Sequence, residues 1–199
     1  MRSCTKCVGG GLAFSRPYWP EEFIEGNPKS QIWIIGLNPK EEPPPFSVSE
    51  LVYCLDNEAA RHSYFSDFGK LSASLRLHSE GNAAHTDLVK CHSRSWLKKP
   101  AQKRQIIANC RVYLENQLKR YMPRLIICNG ADVAKMMIEI VPPKKPLGPF
   151  QTQYVADFQD ATVGVILSGF VGRLDGYAKA RLGREIEQAM DELSLPSPR

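Results

Sequence analysis

Four cysteines in two widely separated groups constrain this chain most: Cys4-Thr5-Lys6-Cys7 near the N-terminus, then Cys91 and Cys110 in the middle. Two thiolates two residues apart form a pre-bent clamp, and two more complete the four soft ligands that zinc or an iron-sulfur cluster takes. A fold that uses all four must carry its first residues back onto the middle of the chain. The sequence has no apolar core of a secretory signal, so reduced thiols and a cytoplasmic location are expected, and six cysteines point to metal rather than disulfides. Spacing alone leaves an empty site open. Cys54, on an apolar helix face, and Cys128, inside an apolar strand, are expected to be small buried hydrophobes.

The apolar pattern alternates between strand and helix. Strands are predicted over 31–37, 84–90, 124–129, 151–158 and 162–168, and helices over 48–60, 67–79, 102–121, 132–140 and 174–193. Such alternation implies a mainly parallel sheet covered on both faces. The expected fold is α/β, a three-layer α/β/α sandwich around a central, mainly parallel, four-stranded sheet. With 199 residues, 43% of them apolar, and no internal repeat, a single domain over 1–199 is expected, with an N-terminal segment of about 1–30 tethered by the metal. No apolar run reaches the roughly 18 residues of a membrane span, so no membrane partner is expected, and a monomer is assumed. The net charge of +5 favours a polyanionic partner only modestly.

The surroundings of the cysteines add a resemblance. Thr86-Asp87-Leu88-Val89-Lys90-Cys91 ends a strand, Cys110 opens the amphipathic helical stretch Cys110-Arg111-Val112-Tyr113-Leu114-Glu115-Asn116-Gln117-Leu118, and Gly36-Leu37-Asn38-Pro39 directly follows the apolar run Ile32-Trp33-Ile34-Ile35. This combination resembles the uracil-DNA glycosylase superfamily, in its iron-sulfur (family 4) branch. There a Cys-x-x-Cys, a cysteine closing Thr-Asn-x-Val-Lys-Cys and a cysteine opening the next helix hold a 4Fe-4S cluster. The resemblance thus implies Cys4, Cys7, Cys91 and Cys110 as ligands, with zinc as the alternative occupant. The loop after the first strand has the Asn form found in the mismatch-specific and single-strand-selective branches. By that resemblance Asn38 positions water against the sugar carbon, Gly36, Leu37 and Asp87 contact the base, and an aromatic ring, Phe46 first, stacks on it. An amide at a sheet edge can both accept from and donate to a bound water, which suits Asn38 to that task. The basic loop between Cys91 and Cys110, with Arg94, Lys98 and Lys99, is a candidate surface for DNA phosphates. A solvated Lys-rich loop would look the same.

Two departures qualify the resemblance. Asp87 stands where the iron-sulfur branch has Asn; a carboxylate only accepts, so it suits a base edge that offers N-H donors. Family members follow the last strand with a His-Pro-Ser loop whose His stabilises the departing base. Here Ser168-Gly169-Phe170-Val171-Gly172-Arg173 holds no His, leaving Ser168, helped by Arg173, in the approximate place. The implied activity is a monofunctional DNA glycosylase acting in base-excision repair on uracil, hypoxanthine or xanthine in DNA. The alternatives are a non-catalytic iron-sulfur relative that binds nucleic acid and a zinc-stabilised α/β protein acting on another nucleotide.

Overall fold

The structure, a computed structural model, describes residues 2–10, 12, 14–39, 56, 63–92 and 100–196. In chain order the elements are β1 (Arg2–Cys4), β2 (Phe14–Arg16), β3 (Glu25–Gly26), β4 (Ile32–Gly36), α1 (Ser63–Leu71), β5 (Ala83–Asp87), α2 (Pro100–Tyr121), β6 (Leu125–Asn129), α3 (Ala131–Ile140), β7 (Gln153–Phe158), β8 (Ala161–Ser168) and α4 (Gly176–Glu192). The predicted helix over 48–60 falls outside the described residues.

The sheet is mixed and six-stranded, in the order β3-β5-β4-β6-β8-β7, which corrects the expected four strands. The inner β5, β4, β6 and β8 run parallel, while β3 and β7 lie antiparallel on the two edges. Both additions have a physical reason. Two residues link β7 to β8, with Gln159 at φ 53°, and so short a turn forces the second strand back along the first. At two residues, β3 is too short to carry a periodicity. A separate two-stranded sheet pairs β1 with β2.

Every residue of β4, β5 and β6 is buried, as continuous apolar runs require when helices cover both faces. On one face Trp33, Ile35, Ile126 and Cys128 pack with Ile106, Leu114 and Leu118 of α2 and Val133 and Met137 of α3. On the other, Ile32, Ile34, Leu125 and Ile127 pack with Phe68 of α1 and Leu182, Ile186 and Met190 of α4. The helix predicted over 67–79 begins earlier and stops at Leu71, because the Ser72 hydroxyl accepts from Ser74 N (3.1 Å) and draws the backbone into a 3-10 turn, Ala73–Leu75. Gly183 lets α4 sit directly on that stop: a methyl group there would lie 2.5 Å from the Leu71 carbonyl oxygen. Asp175 caps α4 by accepting from Ala178 N at 2.8 Å.

The four parallel strands follow the spatial order second, first, third, fourth, so the chain changes direction across the sheet between β4 and β6. Open α/β sheets bind ligands at the carboxyl ends of the strands beside such a switch. Here those ends are Gly36, Asp87, Asn129 and Ser168, with Gly36 in register with Asp87 and Asn129 with Ser168. Among the described residues no helix is long and apolar enough to cross a membrane.

Candidate functional site

The loops leaving β4 and β5 are laced together. Leu88 N donates to Gly36 O and Val89 N to Leu37 O, each at 2.9 Å, so Gly36-Leu37-Asn38 is held against the end of β5. Asn38 is half-buried and its Nδ2 donates to Pro39 O at 2.9 Å. Gly36 is required by what lies above it. A methyl group on its Cα would collide with Asp87 Oδ1 and lie 2.9 Å from His85 Nε2 and 3.2 Å from Tyr64 Oη. Three polar side chains from β5 and α1 therefore converge over the end of β4.

Asp87 is only 5% exposed, and among the described residues no hydrogen-bond donor meets its carboxylate. Burial pushes its pKa up to about 6; the Glu25 charge adds to this, while His85 and Lys90 oppose it. Its neighbours, by contrast, are fully engaged. His85 lies in register with Glu25 across the β3–β5 pair, and its Nδ1 is 2.6 Å from Glu25 Oε2. Its Nε2 is 3.1 Å from Tyr64 Oη, which accepts from Asn129 Nδ2 at 2.7 Å. Asn129 Oδ1 in turn accepts from Val171 N at 2.8 Å and fixes the turn that follows β8. Burial works most strongly against a charged His85, but the Glu25 hydrogen bond and the charges of Asp87 and Glu25 outweigh it and hold its pKa above the ordinary value. Burial, reinforced by the Asp87 charge, keeps Tyr64 protonated. Phe170, on the turn after β8, stacks on Tyr64 at 6.1 Å and stays 43% exposed.

Beyond the end of β5, Lys90 is buried and reaches back to donate to Thr86 Oγ1 (2.6 Å), on the strand's opposite face, and to Gln117 Oε1 (2.7 Å). Burial lowers its pKa to about 8 against the pull of Asp87 and other anionic groups. Gln117 Nε2 continues to the Glu21 and Phe23 carbonyls at 3.0 and 3.1 Å, and Thr86 Oγ1 donates to Phe23 O at 2.7 Å. This polar knot ties the N-terminal segment to β5 and α2.

The four cysteines meet beside the knot. Cys7, Cys91 and Cys110 are buried, Cys4 is partly so, and each is a free thiol. Cys110 lies in the body of α2 rather than opening a helix. A hydrogen bond from Cys91 lowers the Cys110 pKa to about 7, while the same bond and burial raise that of Cys91. The charges of Cys4 and Cys7 also act on Cys91. Tyr113 Oη donates to Cys4 Sγ at 3.1 Å and Asn109 Nδ2 to Cys7 Sγ at 3.4 Å. Among the described residues no group of three or more His, Cys, Asp or Glu side chains is arranged to hold a metal ion. The donor set itself, four thiols with O-H and N-H donors directed at two of the sulfurs, suits a thiolate-bound centre.

The remaining expected site residues divide by place. Ser168 ends β8 half-buried, its hydroxyl donating to Gly169 O at 2.9 Å. Arg173 lies on the turn after it, its guanidinium 6.0 Å from the Phe170 ring centre. Phe46, Arg94, Lys98 and Lys99 fall outside the described residues. Glu25, His85 and Asn129 were not expected in the site. The alternation of β5 carried part of the signal, since His85 and Asp87, two residues apart, share a face. The partners Glu25 and Asn129 emerge only from the strand register.

Residues 23–198 match the model of the uracil DNA glycosylase superfamily. The chain belongs to that superfamily. The superfamily match takes in Asn38, Asp87 and Ser168 together with Cys91 and Cys110, and begins after Cys4 and Cys7. No curated protein matches the chain.

Proposed function

We propose that the protein is a DNA glycosylase that hydrolyses the N-glycosidic bond of a deaminated base, uracil, hypoxanthine or xanthine, in DNA. One observation carries the reading beyond the family: the Asp87 carboxylate, 5% exposed and without a hydrogen-bond donor among the described residues, stands at the carboxyl edge of the parallel strands as an acceptor that a ligand can reach. A base swung out of the stack can present its ring N-H there. Asn38, on the loop laced to β5, orients a water toward the sugar carbon. Its amide needs no titration for this task if the base departs before the water adds. Gly36 and Leu37 form the floor, Phe46 stacks on the base, and Ser168 with Arg173 assists its departure. Arg94, Lys98, Lys99 and Arg173 contact phosphates.

We further propose that Cys4, Cys7, Cys91 and Cys110 hold a 4Fe-4S cluster, with zinc as the alternative. Its part would be structural, joining the N-terminal segment to the end of β5 and to α2, and no step of the hydrolysis depends on it.

A second reading, a non-catalytic relative that binds nucleic acid, is favoured by the segment after β8, which holds no histidine and whose Ser168 hydroxyl is turned to its own loop. Labelled oligonucleotides carrying each base, single-stranded and paired, separate the two. Abasic sites should form with the native protein and fail to form with Asn38→Ala, which should still bind DNA. Silence of the native protein across the panel with DNA bound would establish the second reading.

A further inference from the structure

We propose that the outward face of the first half of α4 holds single-stranded DNA beside the site, with Arg181 and Arg184 on its phosphates and the Tyr177 ring stacked on an unpaired base. The inference rests on the DNA-binding part of the proposed function and deepens it by naming the strand state of the substrate.

β8 ends at Ser168, on the carboxyl edge, and α4 starts at Gly176, so the turn between them delivers the N-terminal end of α4 to that edge. Leu182, Ile186 and Met190 turn inward to the core. Tyr177, Arg181 and Arg184, spaced i, i+4 and i+7, share an outward face and line a shallow groove with Asp175, Ala178 and Ala180. Tyr177 is 91% exposed, and neither its side chain nor that of Arg184 meets a partner among the described residues. Arg181 comes no nearer to Glu185 than 4.0 Å and its side chain stays 72% exposed. Asp175, the carboxylate in this lining, already accepts from Ala178 N.

The charges of α4 are sorted along its length. Lys179, Arg181 and Arg184 fall in its first nine residues, and Glu185, Glu187, Asp191 and Glu192 in its last eight. The helix macrodipole favours the reverse order, anions at the N-terminal end and cations at the C-terminal end. Arg181 also precedes Glu185, the weaker orientation for a pair four residues apart. Helix stability therefore does not account for the arginines, and they gather at the end that meets the carboxyl edge, where a polyanion engaged at the site would pass. Lys179 differs, since it pairs with Asp67 of α1 at 3.7 Å.

Tyr177 gives the partner its strand state. A ring that buries almost nothing of itself in the fold, beside two guanidinium groups, is a stacking platform with arginines to follow the backbone. In a duplex both faces of each base are covered by its neighbours, so an unpaired base is what can lie on that ring. From Tyr177 to Arg184 the helix axis rises about 10 Å, about three nucleotide steps of 3.4 Å, room for one stacked base and two phosphates.

The test is fluorescence anisotropy with a labelled, undamaged oligonucleotide, single-stranded and as a duplex. It compares the native protein with Tyr177→Ala, Tyr177→Phe, the double variant Arg181→Ala with Arg184→Ala, and Gln188→Ala further along the helix, each checked for native circular dichroism. The native protein should bind the single strand more tightly than the duplex. Tyr177→Ala should lose about 5- to 50-fold on the single strand and little on the duplex, while Tyr177→Phe keeps native affinity. The double variant should weaken single-strand binding and flatten the slope of log K against log salt by about 1.4, the release of two phosphate contacts. Gln188→Ala should bind as the native protein does. Single-strand binding that ignores the tyrosine and arginine substitutions overturns the inference, and so do equal losses of Tyr177→Ala on single strand and duplex. Excision from a lesion-bearing strand, measured in parallel, keeps the two readings apart. Excision without these binding losses leaves the glycosylase standing and the surface refuted; the losses without excision by the native protein leave the surface standing on a non-catalytic relative.

Discussion

A single side chain, Asp87, shows how function and stability oppose each other at the residue scale. Its carboxylate is buried beside Gly36 without a hydrogen-bond donor among the described residues, and its pKa stands at about 6 against an ordinary 3.8. A carboxylate with a raised folded-state pKa destabilises the fold when ionised. That cost is absent below the unfolded-state value, grows as pH rises through the window from 3.8 to about 6, and is complete above it. Asp87→Asn should therefore stabilise the protein at pH 7.5, on the order of 1–3 kcal/mol, the lower end allowing for an unpartnered amide. Thermal unfolding at several pH values checks this: the gain should shrink steadily toward pH 4. A gain that does not depend on pH, or a loss at pH 7.5, would mean that the native carboxylate is satisfied.

The elements differ in how visible they were in the sequence. β4 and β6 were legible because runs such as Leu125-Ile126-Ile127 have no polar face to hide, and α4 because its apolar positions recur with helical spacing. β3 was not, since a two-residue strand exists only through its pairing with β5. The candidate site divides the same way. Gly36, Asn38 and Asp87 lie in local motifs, whereas Glu25 and His85 meet across 60 residues through strand register, and Asn129 reaches Tyr64 across 65. The knot around Gln117 is of this second kind and carries the next prediction. Gln117→Leu removes one of two side-chain partners of a buried ammonium and strands the Glu21 and Phe23 carbonyls. It should destabilise the protein by about 2–4 kcal/mol in urea unfolding, whereas Gln188→Leu on the exposed side of α4 should change little. Equal effects of the two would show that the knot adds nothing beyond a surface contact.

At the scale of the whole molecule, the first 23 residues are held in two ways, and the two can be separated. One is the apolar and polar anchorage already described: Phe14, Tyr18 and Phe23 share the core of α2, and Gln117 and Thr86 hold the backbone at Glu21 and Phe23. The other is the proposed metal centre, which acts further out, at Cys4 and Cys7. A centre that joins these to Cys91 and Cys110 closes a long loop, a constraint worth on the order of 3–5 kcal/mol in chain entropy. Because the inner anchorage does not involve the sulfurs, losing the centre should release the outer segment without unfolding the α/β body. The native protein should carry iron and acid-labile sulfide, or zinc. Its removal by a chelator, or by Cys4→Ser with Cys7→Ser, should lower the melting temperature and open tryptic cleavage at Lys6 and Arg16. Far-UV circular dichroism should stay close to native, since β1 and β2 contribute only three residues each. Cleavage and melting that ignore the metal would place the restraint wholly on the Gln117 side. A general collapse on metal removal would make the centre part of the core rather than a tether.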